Sequence, residues 1–197
     1  MVGENEERRR RLKKAAAALH APVFYVNHVG VQNNGKTVYP FNGCSTVCDR
    51  HGEIRAAVPA YREALCPVSL ATLEARPVLV ETPKTETEAL CHALAYGVRR
   101  FMDALSLERV VIGLSGGIDS AVSAALFVHV LGAENVLLLN LPSRFNSATT
   151  KALAERLAKN LGCHYTVLPI EESVQRTIRQ IESIPINGLT VSPFMAE

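Results

Sequence analysis

Within the stretch VVIGLSGGIDSAV at residues 110–122, two hydroxyls, two adjacent glycines and one carboxylate fall inside the six residues 115–120. Gly116 and Gly117 can take positive φ and carry no Cβ, so their amides can approach an anion closely. A helix starting there would add unpaired N–H groups and a partial positive charge, with the Ser115 and Ser120 hydroxyls as donors on either side. Phosphate oxygens match that donor set. The loop is neither a Walker A sequence, because Ile118 fills the slot of the lysine, nor GxGxxG. Without a lysine, the phosphate charge needs a metal or basic residues from elsewhere. Asp119 is an oxygen ligand suited to Mg²⁺, which would relieve the repulsion between carboxylate and phosphates. On a plainer reading, Gly-Gly is only a tight turn and Asp119 only the N-cap of an alanine-rich helix. The full order of strand, Ser-Gly-Gly-x-Asp-Ser and helix favours the nucleotide.

Such a loop needs a strand to deliver it and a helix to receive it. Hydrophobic patterning predicts strand 109–114, helix 119–131, strand 135–141, helix 147–161, strand 164–168 and helix 171–183. That alternation is the signature of an α/β fold, a parallel sheet with helices on both faces, whose ligand crevice lies at the carboxyl ends of the strands. Upstream, Leu90, Leu94, Val98, Phe101, Met102 and Leu105 recur at helical spacing, which predicts a helix over 85–105 with this stripe in the core. Closer to the N-terminus come a helix over 5–19 and a strand over 22–30. A loop over 31–43 and a hairpin formed by STVCD and EIRAAVP follow. Between residues 61 and 84 the periodicity is lost among Pro67, Pro77 and Pro83. The expected division is therefore a first unit over 1–75, a linker over 76–84 and a second unit over 85–197.

At 197 residues, 48% of them hydrophobic and with a net charge of +2, the chain can build a packed core. Its balanced charge implies no global attraction to nucleic acid or membrane. In the basic run RRRRLKK, Arg8, Arg10 and Arg11 stand four residues after Glu4, Glu6 and Glu7, which predicts ion pairs on a solvated helix face. The following AAAALHA is too short and alanine-rich for a secretory signal, and no segment has the apolar length of a membrane span, so a cytoplasmic protein is expected. Cys44, Cys48, Cys66, Cys91 and Cys163 are scattered, with no CxxC pair, and are expected to be reduced, buried thiols.

SGGIDS resembles the SGGxDS pyrophosphate loop of the ATP pyrophosphatases, whose fold is adenine nucleotide alpha hydrolase-like and which activate a substrate by adenylation. GLSGGIDSAVSAAL, LLLNLPSRFNS and AERLAKNLGCHYTVLPIEE together are similar to the synthetase domain of NAD⁺ synthetases, departing at Phe145 and Asn146, where that family usually carries Tyr-Ser. FYVNHVGVQNNGKTVYPFNGCSTVCDRHGE resembles the later part of a nitrilase-type amidase domain. The pair resembles the glutamine-dependent NAD⁺ synthetases.

The resemblance implies that residues 1–75 are the C-terminal part of an α/β nitrilase-type sandwich and 85–197 the N-terminal part of an ATP-binding domain. It implies ATP-dependent amidation of nicotinic acid adenine dinucleotide to NAD⁺ through an adenylate, with ammonia drawn from glutamine, in a homo-oligomer. Gly113, Leu114, Ser115, Gly116, Gly117, Ile118, Asp119 and Ser120 would hold ATP, Asp119 would bind Mg²⁺, and Ser143 and Arg144 would serve the nucleotide site. The amidase Glu, Lys and Cys have no counterpart here, since Cys44 and Cys48 fall beyond the nucleophile and read as packing residues. The chain is thus expected to be an internal fragment, or a degraded or deliberately truncated copy, of such an enzyme. Two other readings are a nucleotide-binding or interaction module without turnover and an SGGxDS amidotransferase with another acceptor, against which LPSRFNS and the amidase-like stretch weigh.

Overall fold

In a computed structural model, the structure describes residues 4–75, 85–144 and 147–182, so the linker expected over 76–84 lies outside the described residues. The chain forms two compact units, Met1–Ser106 and Leu107–Glu197.

In the first unit, helix α1 (Glu4–Leu19) packs on strands β1 (Val23–Tyr25) and β4 (Thr46–Cys48) and buries Ala16. Of the ion pairs expected along α1, Glu7 with Arg11 forms, at 2.9 Å. Arg10 also turns to Glu7, while Arg8 reaches Asn5 and sits 5.1 Å from the centre of the Tyr25 ring, an attraction the charge spacing does not register. Strands β1, β4 and β5 (Ile54–Ala57) form an antiparallel sheet in that order, and β4 with β5 is the expected hairpin. Its turn is built around the fully buried Asp49. The carboxylate accepts hydrogen bonds from the His51 N–H at 2.8 Å, the Glu53 N–H at 3.0 Å and Arg55 Nε at 2.7 Å. Burial pushes its pKa up, but these donors outweigh burial and hold it below the usual carboxylate range.

Two expectations for this unit are corrected. Residues 22–30 are not one strand: β1 stops at Tyr25 and β2 (Val29–Asn33) begins a second sheet. Asn27 makes the break, its N–H donating to Ser45 Oγ at 3.0 Å and its Nδ2 to the Gly43 carbonyl at 2.8 Å. Nor are residues 31–43 a loop, because β2 pairs antiparallel with β3 (Val38–Asn42). The turn between them is closed by Asn34 Oδ1, which accepts from the N–H groups of Lys36 at 3.1 Å and Thr37 at 2.8 Å. An Asn-Gly signal stood in the sequence, at Asn34 and Gly35.

Helix α2 (Glu86–Ala104) starts where Thr85 Oγ1 accepts from the Glu88 N–H at 3.1 Å, and it packs on β2 and β3, with Tyr96 against Tyr61. Its expected core stripe is corrected too. Met102 is buried, but Leu90, Leu94, Phe101 and Leu105 are exposed and the small Ala93 is buried instead. Helical periodicity defines a face; the partner selects which face is covered. Helix α2 thus belongs with β2 and β3, and the compact units divide after Ser106. Among the cysteines, Cys44 and Cys48 are buried and their thiols pushed up by burial, whereas Cys66 and Cys91 are exposed and Cys163 is half-buried. Burial therefore holds for only two of the five.

The second unit follows the predicted alternation: β6 (Val110–Gly113), α3 (Ile118–Leu131), β7 (Val136–Asn140), α4 (Ala148–Leu161), β8 (His164–Val167) and α5 (Glu171–Glu182). The strands form a parallel sheet in the order β6-β7-β8, with Val110 beside Val136 and Leu137 beside His164. Val136 and Leu138 of the central strand are fully buried, each contributing roughly 1.5–3 kcal/mol. Helix α3 contacts β6, β7 and α4, and the buried Ala124, Ala154 and Ala158 keep the helices close to their neighbours.

Asp49→Ala would leave Arg55 and two amides without their acceptor, and a loss of about 2–4 kcal/mol is expected in urea unfolding at neutral pH. Since the folded pKa is depressed, this stabilisation is present at neutral pH and fades as the pH falls through and below the ordinary 3.8. The gap between wild type and variant should accordingly narrow in acid.

Candidate functional site

Gly113 ends β6, and the ladder continues one residue further, the Leu114 N–H donating to the Leu139 carbonyl at 2.8 Å. With Leu114 only 2% exposed, the start of the loop is fixed to the sheet. The chain then reverses at Gly116, whose φ of +85° lies in the left-handed region. A Cβ there would lie 2.9 Å from the Thr150 carbonyl carbon and closer still to its oxygen, so glycine is required both by the turn and by the backbone of α4.

The hydroxyls on either side form one network. Ser115 Oγ and Ser120 Oγ are 3.1 Å apart, the Ser115 N–H donates to Ser120 Oγ at 3.3 Å, and the Gly117 N–H donates to Ser115 Oγ at 3.2 Å. Ser120 Oγ in turn donates to the Gly117 carbonyl at 3.0 Å. Gly117 is the N-cap of α3 and offers no side chain, in contrast to Thr85 on α2 and Ser147 on α4, whose hydroxyls each accept a helix N–H. The first turn of α3 therefore presents backbone donors with no intrahelical acceptor at the carboxyl end of the sheet. Asp119 lies in that turn, exposed, and is not the cap. Ile118, in the lysine slot of a Walker loop, is 74% exposed and offers no charge.

The structure thus brings residues 113–120 together on one loop and helix start. Ser143 and Arg144 stand on the neighbouring β7–α4 connection; Phe145 and Asn146 lie outside the described residues. The Arg144 N–H donates to Glu171 Oε2 at 3.0 Å, and Gln175 Nε2 donates to Glu171 Oε1 at 3.0 Å. The Arg144 amide first, then Gln175, hold the Glu171 pKa below its ordinary value. Sequence reasoning missed Thr150, which supports Gly116 through its backbone and so leaves no trace in residue type. It also missed Glu171, whose place in an acidic pair opening a helix was a legible but unspecific signal. Among the described residues, no group of three His, Cys, Asp or Glu side chains could hold a metal, and no helix is long and apolar enough to cross a membrane.

A family model described as NAD synthase matches residues 90–188, half of the chain. The chain belongs to the NAD synthase family. It is 34% identical over 171 residues to the glutamine-dependent NAD(+) synthetase of Synechocystis sp., a match covering 85% of this chain and 30% of that protein. With the corresponding synthetase of Rhodobacter capsulatus it is 34% identical over 173 residues, covering 86% of this chain and 31% of the relative. The chain therefore spans about a third of the length of the curated relatives it matches. A solved glutamine-dependent NAD+ synthetase from Acinetobacter baumannii, in complex with adenosine diphosphate, superposes with a TM-score of 0.85 at 26% identity, over 96% of this chain and 36% of that one. A second from Cytophaga hutchinsonii, at 17% identity and a TM-score of 0.72, covers 91% of this chain and 36% of its own and shares the fold.

The family loop is thus tied to its own scaffold through Gly116. Gly116→Ala should cost about 1–3 kcal/mol in denaturant unfolding, from left-handed strain and the clash with Thr150. Gly113, with open space at its Cβ position, should tolerate alanine within about 0.5 kcal/mol.

Proposed function

We propose that this chain supplies the ATP-binding part of a glutamine-dependent NAD⁺ synthetase, a cytoplasmic, homo-oligomeric carbon–nitrogen ligase. In this reading residues 1–75 are the later part of a nitrilase-type amidase domain and residues 85–197 the start of the synthetase domain. The observation that carries it is the uncapped first turn of α3 behind a glycine loop whose serine hydroxyls are already ordered by each other. An anion with several oxygens suits those donors, and the SGGxDS order resembles the pyrophosphate loop of the ATP pyrophosphatases.

Residues 115–120 would hold the β- and γ-phosphates of ATP, with Gly113 and Leu114 fixing the loop and Ser143 and Arg144 flanking the nucleotide. The nicotinate carboxylate of nicotinic acid adenine dinucleotide attacks the α-phosphorus, the bond to the β-phosphate oxygen breaks, and pyrophosphate leaves. Ammonia released from glutamine then attacks the adenylated carbonyl carbon; AMP departs and the amide remains. These residues work by positioning and charge stabilisation, so none needs to act as a general base. Asp119, exposed in the first turn of α3, would suit a Mg²⁺ held together with the phosphates. Bound there, the cation would neutralise charge on the leaving pyrophosphate. Exposed Phe24 and Val26 offer apolar surface for assembly.

Calorimetric titration of the purified chain with ATP should show binding that strengthens with Mg²⁺, and Asp119→Ala should remove roughly tenfold of that affinity with metal present and little without it. Failure of the folded wild-type chain to bind Mg-ATP would sink the proposal. Formation of NAD⁺ from the acid dinucleotide with ammonia tests the ligase step, and binding without turnover would favour a nucleotide-binding module.

A further inference from the structure

Beyond β7 and β8, the two segments remain stitched to each other. The Leu168 N–H donates to the Asn140 carbonyl at 2.9 Å and the Ile170 N–H to the Pro142 carbonyl at 3.2 Å. The stitching ends on a side chain. At the first residue of α5, Glu171 Oε2 accepts the Arg144 N–H at 3.0 Å, while Oε1 lies 4.0 Å from Arg144 Nε and accepts from Gln175 Nε2 at 3.0 Å. One carboxylate therefore grips both the backbone and the guanidinium side of Arg144, and Gln175, one helical turn along, holds the carboxylate in place.

We infer that Glu171 is a positioning residue for the nucleotide site: it holds the backbone at Arg144 so that Ser143 and Arg144 are presented in one geometry to the phosphates. The inference rests on the ATP reading above. A loop arginine without such an anchor spends its binding energy on ordering a flexible side chain, whereas a pre-held one does not. The long-range ion pair is weak by itself, because both side chains are partly exposed. The hydrogen bond from the Arg144 N–H to the carboxylate is the stronger, charge-assisted restraint. A mere helix-start charge on α5 would act on stability alone and would not couple to Arg144.

The test is a double-mutant cycle on Mg-ATP binding by the full chain, joined to amide exchange of Arg144 without ligand. Glu171→Ala should weaken binding roughly tenfold, and Glu171→Gln, which keeps an acceptor for the amide, should stay within about threefold of wild type. In an Arg144→Ala background, Glu171→Ala should cost less than about twofold further. Exchange of the Arg144 amide should quicken about tenfold in Glu171→Ala and much less in Glu171→Gln. Wild-type binding with unaltered Glu171→Ala affinity, or equal losses in both backgrounds, would overturn the positioning role and leave the ATP reading intact. No Mg-ATP binding by wild type would remove that reading and this role together. Unchanged exchange of the Arg144 amide would show that Glu171 does not hold the loop, whatever binds.

Discussion

The second unit depends on the parallel pairing of β6 with β7, carried one residue past the strand by the Leu114 N–H on the Leu139 carbonyl. That bond holds the glycine loop at the carboxyl edge of the sheet, where helix starts and strand ends converge. From there the constraints are successive. Burial of Leu114 fixes the loop's base, the left-handed Gly116 turns it against the backbone at Thr150, and the Ser115–Ser120 pair orders its hydroxyls. The phosphate-holding role proposed for this loop needs such rigidity, since misplaced donors stabilise nothing in particular. The β8–α5 connection extends the same ordering to Arg144 by a different route.

The first unit solves a different problem, two small sheets with polar residues at their turns. It does so by satisfying them internally. Asp49 nucleates its hairpin with two amides and an arginine, Asn27 breaks the chain between two sheets, and Asn34 closes the β2–β3 turn. Among the family's residues, the match begins at residue 90, inside α2, which packs with this first unit. Family boundary and packing boundary thus differ, because α2 takes its partner from β2 and β3.

The alternating elements of the second unit were legible because each carries a local signal: β-branched runs for strands, Ser147 ahead of α4 and Gly162 after it. The short strands of the first unit were harder. Three residues in β1 carry little periodicity, and the break at Asn27 depends on Ser45 and Gly43, which lie far along the chain. The exposed stripe of α2 was misjudged for a related reason, since apolar spacing reports a face without naming what covers it.

Residue chemistry alone specified the loop: glycines where the backbone must reverse, hydroxyls beside them, a carboxylate in the first helical turn and no lysine. Those are properties of single residues and their neighbours, so they survive in one dimension. Two other features came from long-range contacts: Gly116 packed against the Thr150 backbone and Arg144 held by Glu171. Backbone carbonyls and loop amides have no residue identity, so their partners become visible only when the chain has folded and brought them within hydrogen-bond distance.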